Sequence, residues 1–404
     1  MKKNILIITD SYPPEIRSSA LLIKELAEAL RHRGHEVSVV TSYPSSNLDK
    51  NDKKDFLEDA VENGIKVLRV RIISHHNVNF ITKGISWLLM PFLFYRIIRK
   101  NIKGKIDVAI VHSPPLTLTI ATYLVKKYYK ARYVLNLQDF FPQNAIDLGV
   151  LRNKFIIRFF QAMERWAYKT SDVIITPSNE HKNYLMEKRN VANDKIIVVP
   201  HWIDLEPFEK IKKTGEYRNS LGLNNKIIFH FGGVLGPSQG VDLLIRLAER
   251  VADKKDIHFV IAGEGTEKTK LEKMVKEKKL VNVSFRPYEA KDKYTLFLKD
   301  MDVGILTLTS KNTTPAVPAK IMFYLASRLP ILGFLHVKSE AHLIIKKAQC
   351  GYSAIYEDED VCYEVLMRMY YERAQLLKFG QNGFVYAQKH FTPEVCVLEW
   401  EKAL

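Results

Sequence analysis

The residues best placed for chemistry lie in short loops that follow apolar, strand-like runs. The first loop, Tyr12-Pro13-Pro14-Glu15-Ile16-Arg17-Ser18-Ser19, gathers a carboxylate, a guanidinium and hydroxyls ahead of an amphipathic segment. Amide N–H groups at a helix start, with arginine and serine beside them, can hold an anion such as a diphosphate. The same residues also suit an N-cap and a surface arginine. A second loop, Phe231-Gly232-Gly233-Val234-Leu235-Gly236, lets backbone approach a phosphate closely, although it lacks the dinucleotide fingerprint and a Walker lysine. Gly263-Glu264-Gly265 repeats that geometry after the next strand; its carboxylate suits sugar hydroxyls or an ordinary turn. In Val317-Pro318-Ala319-Lys320 a lysine opens a helix, against the dipole's preference for acids there. An anion opposite would offset that, so Lys320 is the basic residue expected at a phosphate.

Metal chemistry finds little support. Asp300-Met301-Asp302 has a metal-site spelling, yet it ends a helix and opens a buried strand, and it reads as structural punctuation. No His or Cys cluster has zinc spacing, and neither metal nor cofactor is expected. Cys350, Cys362 and Cys396 share no ligand spacing and fit reduced thiols in a cytoplasm. The opening Met1–Asp10 run has only a short apolar core and reads as a first strand rather than an export signal. The net charge of +16, from 61 Lys and Arg against 45 Asp and Glu, suits an anionic partner or simply a solvated lysine-rich surface. No nucleic-acid module accompanies it.

The elements that must position these loops alternate strand and helix. Residues 4–9 read as a buried parallel strand, followed by a helix carrying Leu21, Leu22, Leu26, Ala29 and Leu30 and ending at Gly34. Further strands are expected at 37–41, 66–70, 108–111, 133–137, 173–176 and 196–199. A charged linker is expected around 205–213. The pattern restarts with strands at 227–231, 257–262, 281–285, 303–308 and 330–334. The chain is therefore an α/β protein of two doubly wound, Rossmann-like domains, 1–208 and 209–387, with a C-terminal helix (about 388–404) packing back on the first. In such sheets ligands bind beyond the carboxyl ends of strands, where the loops above lie. Two amphipathic stretches stand apart. Ile85–Ile98, followed by Arg99, Lys100, Lys103 and Lys105, and residues 154–168 with Phe155, Phe159, Phe160 and Trp166 suit either core helices or a membrane interface. The first is shorter than the roughly 20 apolar residues a span needs.

Taken in order, Tyr12-Pro13-Pro14-Glu15, Arg33-Gly34-His35-Glu36-Val37, Gln138-Asp139-Phe140-Phe141-Pro142, Val199-Pro200-His201-Trp202-Ile203-Asp204, Phe231-Gly232-Gly233, Gly263-Glu264-Gly265 and Val317-Pro318-Ala319-Lys320 with Tyr324-Leu325-Ala326 cover the chain nearly end to end. The set resembles glycosyltransferase family 4 (group 1), in particular the WbuB-like enzymes of bacterial surface-polysaccharide assembly. The resemblance implies a GT-B fold with two domains facing across a cleft. It implies a retaining, metal-independent hexosyltransferase taking a UDP-sugar, with N-acetyl-fucosamine or a related amino sugar suggested. The acceptor would be a polyprenyl-diphosphate-linked saccharide of O-antigen or capsule assembly, met by a cytoplasmic enzyme peripheral to the inner membrane face.

On the donor side it implies Arg17, Gly232, Gly233, Glu264, Pro287, Pro318 and Lys320. On the acceptor side it implies Pro14, Glu15, Gln138 and Phe140, with Asp139 and Glu264 near the reacting centre. Three positions depart from the family pattern. Its paired glutamates fall on Pro315 and Phe323, its histidine on Gln138, and its arginine after the first C-domain glycine on Gly233. A ribose-binding carboxylate is therefore missing. A catalytically impaired partner or scaffold of the same fold is the alternative. A UDP-sugar epimerase ranks lower, because the loops offer mainly Asp139 and Glu264 as acid–base groups.

Overall fold

The computed structural model describes residues 1–15, 17–44, 56–72, 80–289, 291–311 and 313–404; Ile16 of the first loop lies outside them. It forms two compact units, Met1–His201 with Pro393–Leu404, and Trp202–Thr392.

The first unit holds an eight-stranded sheet: β1 (Asn4–Ile8), β2 (Glu36–Ser42), β3 (Asp59–Glu62), β4 (Ile65–Val70), β5 (Val108–Ser113), β6 (Arg132–Leu137), β7 (Val173–Thr176) and β8 (Ile196–Val198). Their order is β3-β4-β2-β1-β5-β6-β7-β8, all parallel except β3. Ile5 to Ile8 and Val108 to Val111 are buried on both faces, which explains their unbroken apolar runs. The helix Ser18–His32 starts earlier than the leucine pattern suggests and buries Ala20, Ile23, Leu26, Ala27 and Leu30. At the other end of the chain, helix Pro393–Glu401 closes this unit. Trp400 is fully buried, and Arg33 donates to Glu401 at 2.9 and 2.6 Å.

The second unit holds β9 (Ile227–Gly232), β10 (Ile257–Ala262), β11 (Val283–Arg286), β12 (Val303–Thr307), β13 (Ile331–Leu335) and β14 (Gly351–Ile355), all parallel, in the order β11-β10-β9-β12-β13-β14. The chain passes between units at His201–Trp202. Leu205 and Phe208 already belong to the second unit's core, with a short helix Glu206–Lys210 where a linker is read from composition. The charged surface of that segment hides one inward phenylalanine.

In each sheet the strand order reverses beside the first strand of the unit: β1 separates β2 from β5, and β9 separates β10 from β12. Connections leave in opposite directions at such a point and open a crevice beyond the carboxyl ends. The loops after β1, β9 and β10 lie there.

Candidate active site

In the second unit the loops after β9 and β10 are pressed backbone to backbone. Gly233 donates its amide to Ala262 O at 3.0 Å, and Leu235 donates to Glu264 O at 2.9 Å. Gly263 sits at φ 155°, where a Cβ would stand 1.9 Å from Gly233 O. Only glycine meets both the torsion and the space. Gly263→Ala should therefore push the Gly232–Gly233 turn aside and cost about 1–3 kcal/mol. A melting curve should show a clear drop against Gly236→Ala, whose Cβ would meet nothing nearer than 3.7 Å. Equal melting temperatures would contradict this tight fit.

Lys320 opens the helix Lys320–Ala326 and turns its half-buried side chain toward the same turn. Its Nζ lies 3.8 Å above the Phe231 ring centre, donates to Gln239 Oε1 at 2.8 Å, and stands 3.0 Å from where a Gly233 Cβ would be. Burial without a carboxylate partner pulls its pKa down to about 7. The ammonium is thus poised to gain from an arriving anion. Gln239, absent from the residues picked by sequence, is the neutral acceptor that holds it there.

Beneath the turn lies His230, also missed by sequence. Its ring contacts Val260 O through Nδ1 at 3.0 Å, so the proton sits on Nδ1 and Nε2 is left a buried acceptor without a partner. Burial pushes its pKa to about 3, so it is neutral at physiological pH. A lone histidine inside the apolar run Ile227–Phe231 was the available signal. Tyr324, fully buried, accepts from the Gly232 amide at 3.2 Å and ties the turn to the helix that begins at Lys320.

The other residues singled out in this unit are more open. Glu264 is exposed and paired with Lys268 at 2.7 Å, one helical turn on. Pro287 is exposed just after β11, and Pro318 is half-buried with its carbonyl accepting from Ile321 N. Asp300 accepts from the amides of Gly215 and Tyr217, and Asp302 from Ile228 N and Arg218, so both carboxylates are spent on structure.

In the first unit a hydrogen-bonded line runs beneath the carboxyl ends of β5 and β6. His201 Nε2 donates to Gln138 Oε1 at 2.5 Å, Gln138 Nε2 donates to Asn136 Oδ1 at 2.6 Å, and Asn136 Nδ2 donates to His112 Nδ1 at 3.3 Å. Burial pushes both histidines down to about 4, which leaves them neutral and lets them fix the Gln138 amide. Beside it Asp139 takes no side-chain hydrogen bond or ion pair among the described residues, and burial of its carboxyl raises its pKa above the ordinary aspartate value although the residue as a whole borders solvent.

Phe140 is completely buried, stacked on His181 at 5.3 Å and against Tyr184 at 4.4 Å, so it supports the loop instead of meeting a ligand. Arg17 stands 3.8 Å from Asp10 and 4.0 Å from buried Glu15. Two carboxylates offset the positive potential that an anion would need from it, whereas Lys320 faces a neutral amide. Pro14 lies in the same turn, half-buried, with its neighbour's carbonyl (Pro13 O) accepting from Arg69.

Two Rossmann-like α/β units, each with its loops at a switch point, are the GT-B fold of glycosyltransferases. Residues 20–207 match Glycosyltransferase Family 4 and residues 213–384 match Glycosyl transferases group 1. The chain belongs to the family 4, group 1 glycosyltransferases. It is similar to WcaI of Escherichia coli K12, a glycosyl transferase named for colanic acid biosynthesis, at 26% identity over 80% of this chain and 81% of that one. It is also similar to the glycosyltransferase WbjE of Pseudomonas aeruginosa, at 22% identity over 68% of each chain. Anabaena HepE, solved in complex with UDP, superposes with a TM-score of 0.73 at 13% identity, covering 99% of this chain and 100% of that one.

Proposed function

We propose that this glycosyltransferase moves a sugar from a UDP-sugar to a polyprenyl-diphosphate-linked saccharide during assembly of a bacterial surface polysaccharide. An amino sugar such as N-acetyl-fucosamine is the donor sugar the family resemblance suggests. The reading rests above all on Lys320, a half-buried lysine whose hydrogen-bond partner among the described residues is an amide, beside a glycine turn. HepE holding UDP and the polysaccharide role in WcaI's name support the donor and the pathway class. In this reading the second unit grips the donor and the first unit meets the acceptor.

As the bond between the anomeric carbon and the diphosphate oxygen breaks, negative charge grows on the diphosphate. Lys320 and the turn amides stabilise it. The sugar ring takes on positive charge, which the Asp139 carboxylate offsets. The acceptor hydroxyl then attacks the face the diphosphate leaves and passes its proton to the departing diphosphate oxygen, so the anomeric configuration is retained. No residue is assigned as a metal ligand in this scheme. Titrating UDP into the protein calorimetrically tests the donor assignment: saturable binding below millimolar concentration supports it, and none with an intact fold removes it.

The acceptor half of the proposal rests on the outer face of the first unit. Helix Phe80–Asn101 buries Ser86, Met90, Phe94 and Ile98 and leaves Leu88, Leu89 and Phe92 exposed, with Arg96, Arg99 and Lys100 continuing along the helix. No helix among the described residues is long and apolar enough to cross a membrane. Helix Lys154–Thr170 exposes Phe155 and Phe159 beside Arg158. A row of edge-to-face rings, Trp87 to Phe141 at 5.6 Å and Phe141 to Phe160 at 4.9 Å, makes the two faces neighbours. Apolar side chains beside cations that make no ion pair among the described residues suit an anionic bilayer surface, where the enzyme would meet a lipid-linked acceptor from the cytoplasmic side. The protein should co-sediment with vesicles containing phosphatidylglycerol, and Phe92→Asp/Phe155→Asp should lose about tenfold or more in partitioning, given roughly 1.5–3 kcal/mol per buried phenylalanine. Unchanged sedimentation of the double variant would remove this face from the proposal.

A further inference from the structure

We infer that the Tyr294 hydroxyl takes the ribose contact that a carboxylate at position 323 would make; this rests on the donor-site reading above. Phe323 is half-buried and cannot accept a hydrogen bond from a sugar hydroxyl. Its ring packs edge-to-face on Tyr294, with centres 5.8 Å apart, and on Phe208 at 6.1 Å. Tyr294 belongs to the neighbouring helix Lys291–Lys299 and also stacks on Phe297 at 6.3 Å. These rings fix the phenol's direction with few rotamers to lose.

Its hydroxyl reaches the glycine turn, 2.7 Å from where a Cβ on Gly232 would stand, with His230 Nε2 at 2.8 Å from the same point. Among the described residues nothing hydrogen-bonds to this hydroxyl. The wall that lost its carboxylate at Phe323 thus carries an unpaired hydroxyl from the helix packed against it, within reach of the turn that Lys320 faces. Burial raises the phenol's pKa well above its usual value, so it remains an O–H that can donate to one ribose oxygen and accept from its neighbour.

A neutral hydroxyl differs from a carboxylate in a measurable way. It makes ordinary hydrogen bonds instead of charge-assisted ones, so selection for ribose is modest. The test is calorimetric titration of UDP, 2′-deoxy-UDP and 3′-deoxy-UDP into the full chain and into Tyr294→Phe, which keeps the packed ring. The wild type should bind UDP about fivefold more tightly than at least one deoxy analogue, as expected for one neutral hydrogen bond. Tyr294→Phe should lose that factor for UDP while binding that analogue as the wild type does. Adding Phe323→Glu to Tyr294→Phe should restore preference for UDP over the analogue.

The inference is overturned if Tyr294→Phe binds UDP with wild-type affinity. It is equally overturned if the variant loses the same factor for all three ligands, which would mark a merely structural ring. Failure of the wild type to bind any of the three would instead bring down the donor-site reading, and this inference with it.

Discussion

Replacing Lys320 by alanine should weaken UDP binding about 10- to 100-fold. The figure follows from about 1.5–3 kcal/mol for a hydrogen bond to a charged group. The effect should be large because the Lys320 ammonium stands over the turn with a neutral amide as its hydrogen-bond partner, and Gly233 stands where the family places an arginine. The pH dependence gives a sharper signature. The free protein holds Lys320 near 7, below its ordinary value, through burial. A diphosphate favours the ammonium, so it raises that pKa on binding and the complex takes up a proton whenever the free side chain has lost it. The Lys320 contribution to affinity should therefore be full below pH 7 and fall as pH rises above it, by up to tenfold per unit. Titrations at pH 7, 8 and 9 would show this. Lys320→Arg, which stays charged throughout, should bind with little slope over that range. A flat profile for the wild type would place Lys320 away from the anion.

Asp139→Asn should leave UDP affinity near the wild-type value and lower kcat by about 10²- to 10³-fold, the range seen when one preorganised electrostatic stabiliser is removed. Among the described residues the carboxylate takes no side-chain partner, while the adjacent Gln138 is held in place by His201, Asn136 and His112. The amide of the variant keeps the shape and removes the charge, so a fall in kcat at constant KM separates electrostatic from binding effects. A variant with full kcat would take Asp139 out of the chemistry.

The parts of this molecule that sequence exposes most clearly are those with one dominant cause. Strands buried on both faces, such as Ile5–Ile8 and Val108–Val111, are apolar throughout and stand out. The edge strands β3 and β14 do not, because Asp59–Glu62 and Gly351–Ile355 keep one side in solvent and carry mixed residues. Lys320 was legible through a local contradiction, a cation in the first turn of a helix. The line from His201 to His112 was not, since it joins residues 63, 2 and 24 positions apart and appears only once β5, β6 and the segment after β8 meet at one end of the sheet. Phe140 shows the opposite failure: an aromatic next to Asp139 looks like a binding wall, yet the backbone turns it inward onto His181. Tyr294 belongs to no motif at all; what singles it out is the ring it packs against.

Transfer itself is the central claim, and one assay reaches it directly. UDP-sugars carrying radiolabelled sugar, N-acetyl-amino sugars among them, are incubated with the wild-type protein and a polyprenyl-diphosphate-linked saccharide in anionic vesicles, and the label in the lipid fraction is followed. The account predicts label moving to the lipid with at least one donor, release of UDP in step with it, and loss of both in Lys320→Ala. UDP bound by the protein with no label reaching any lipid-linked saccharide would contradict it and leave a donor-binding protein that does not transfer.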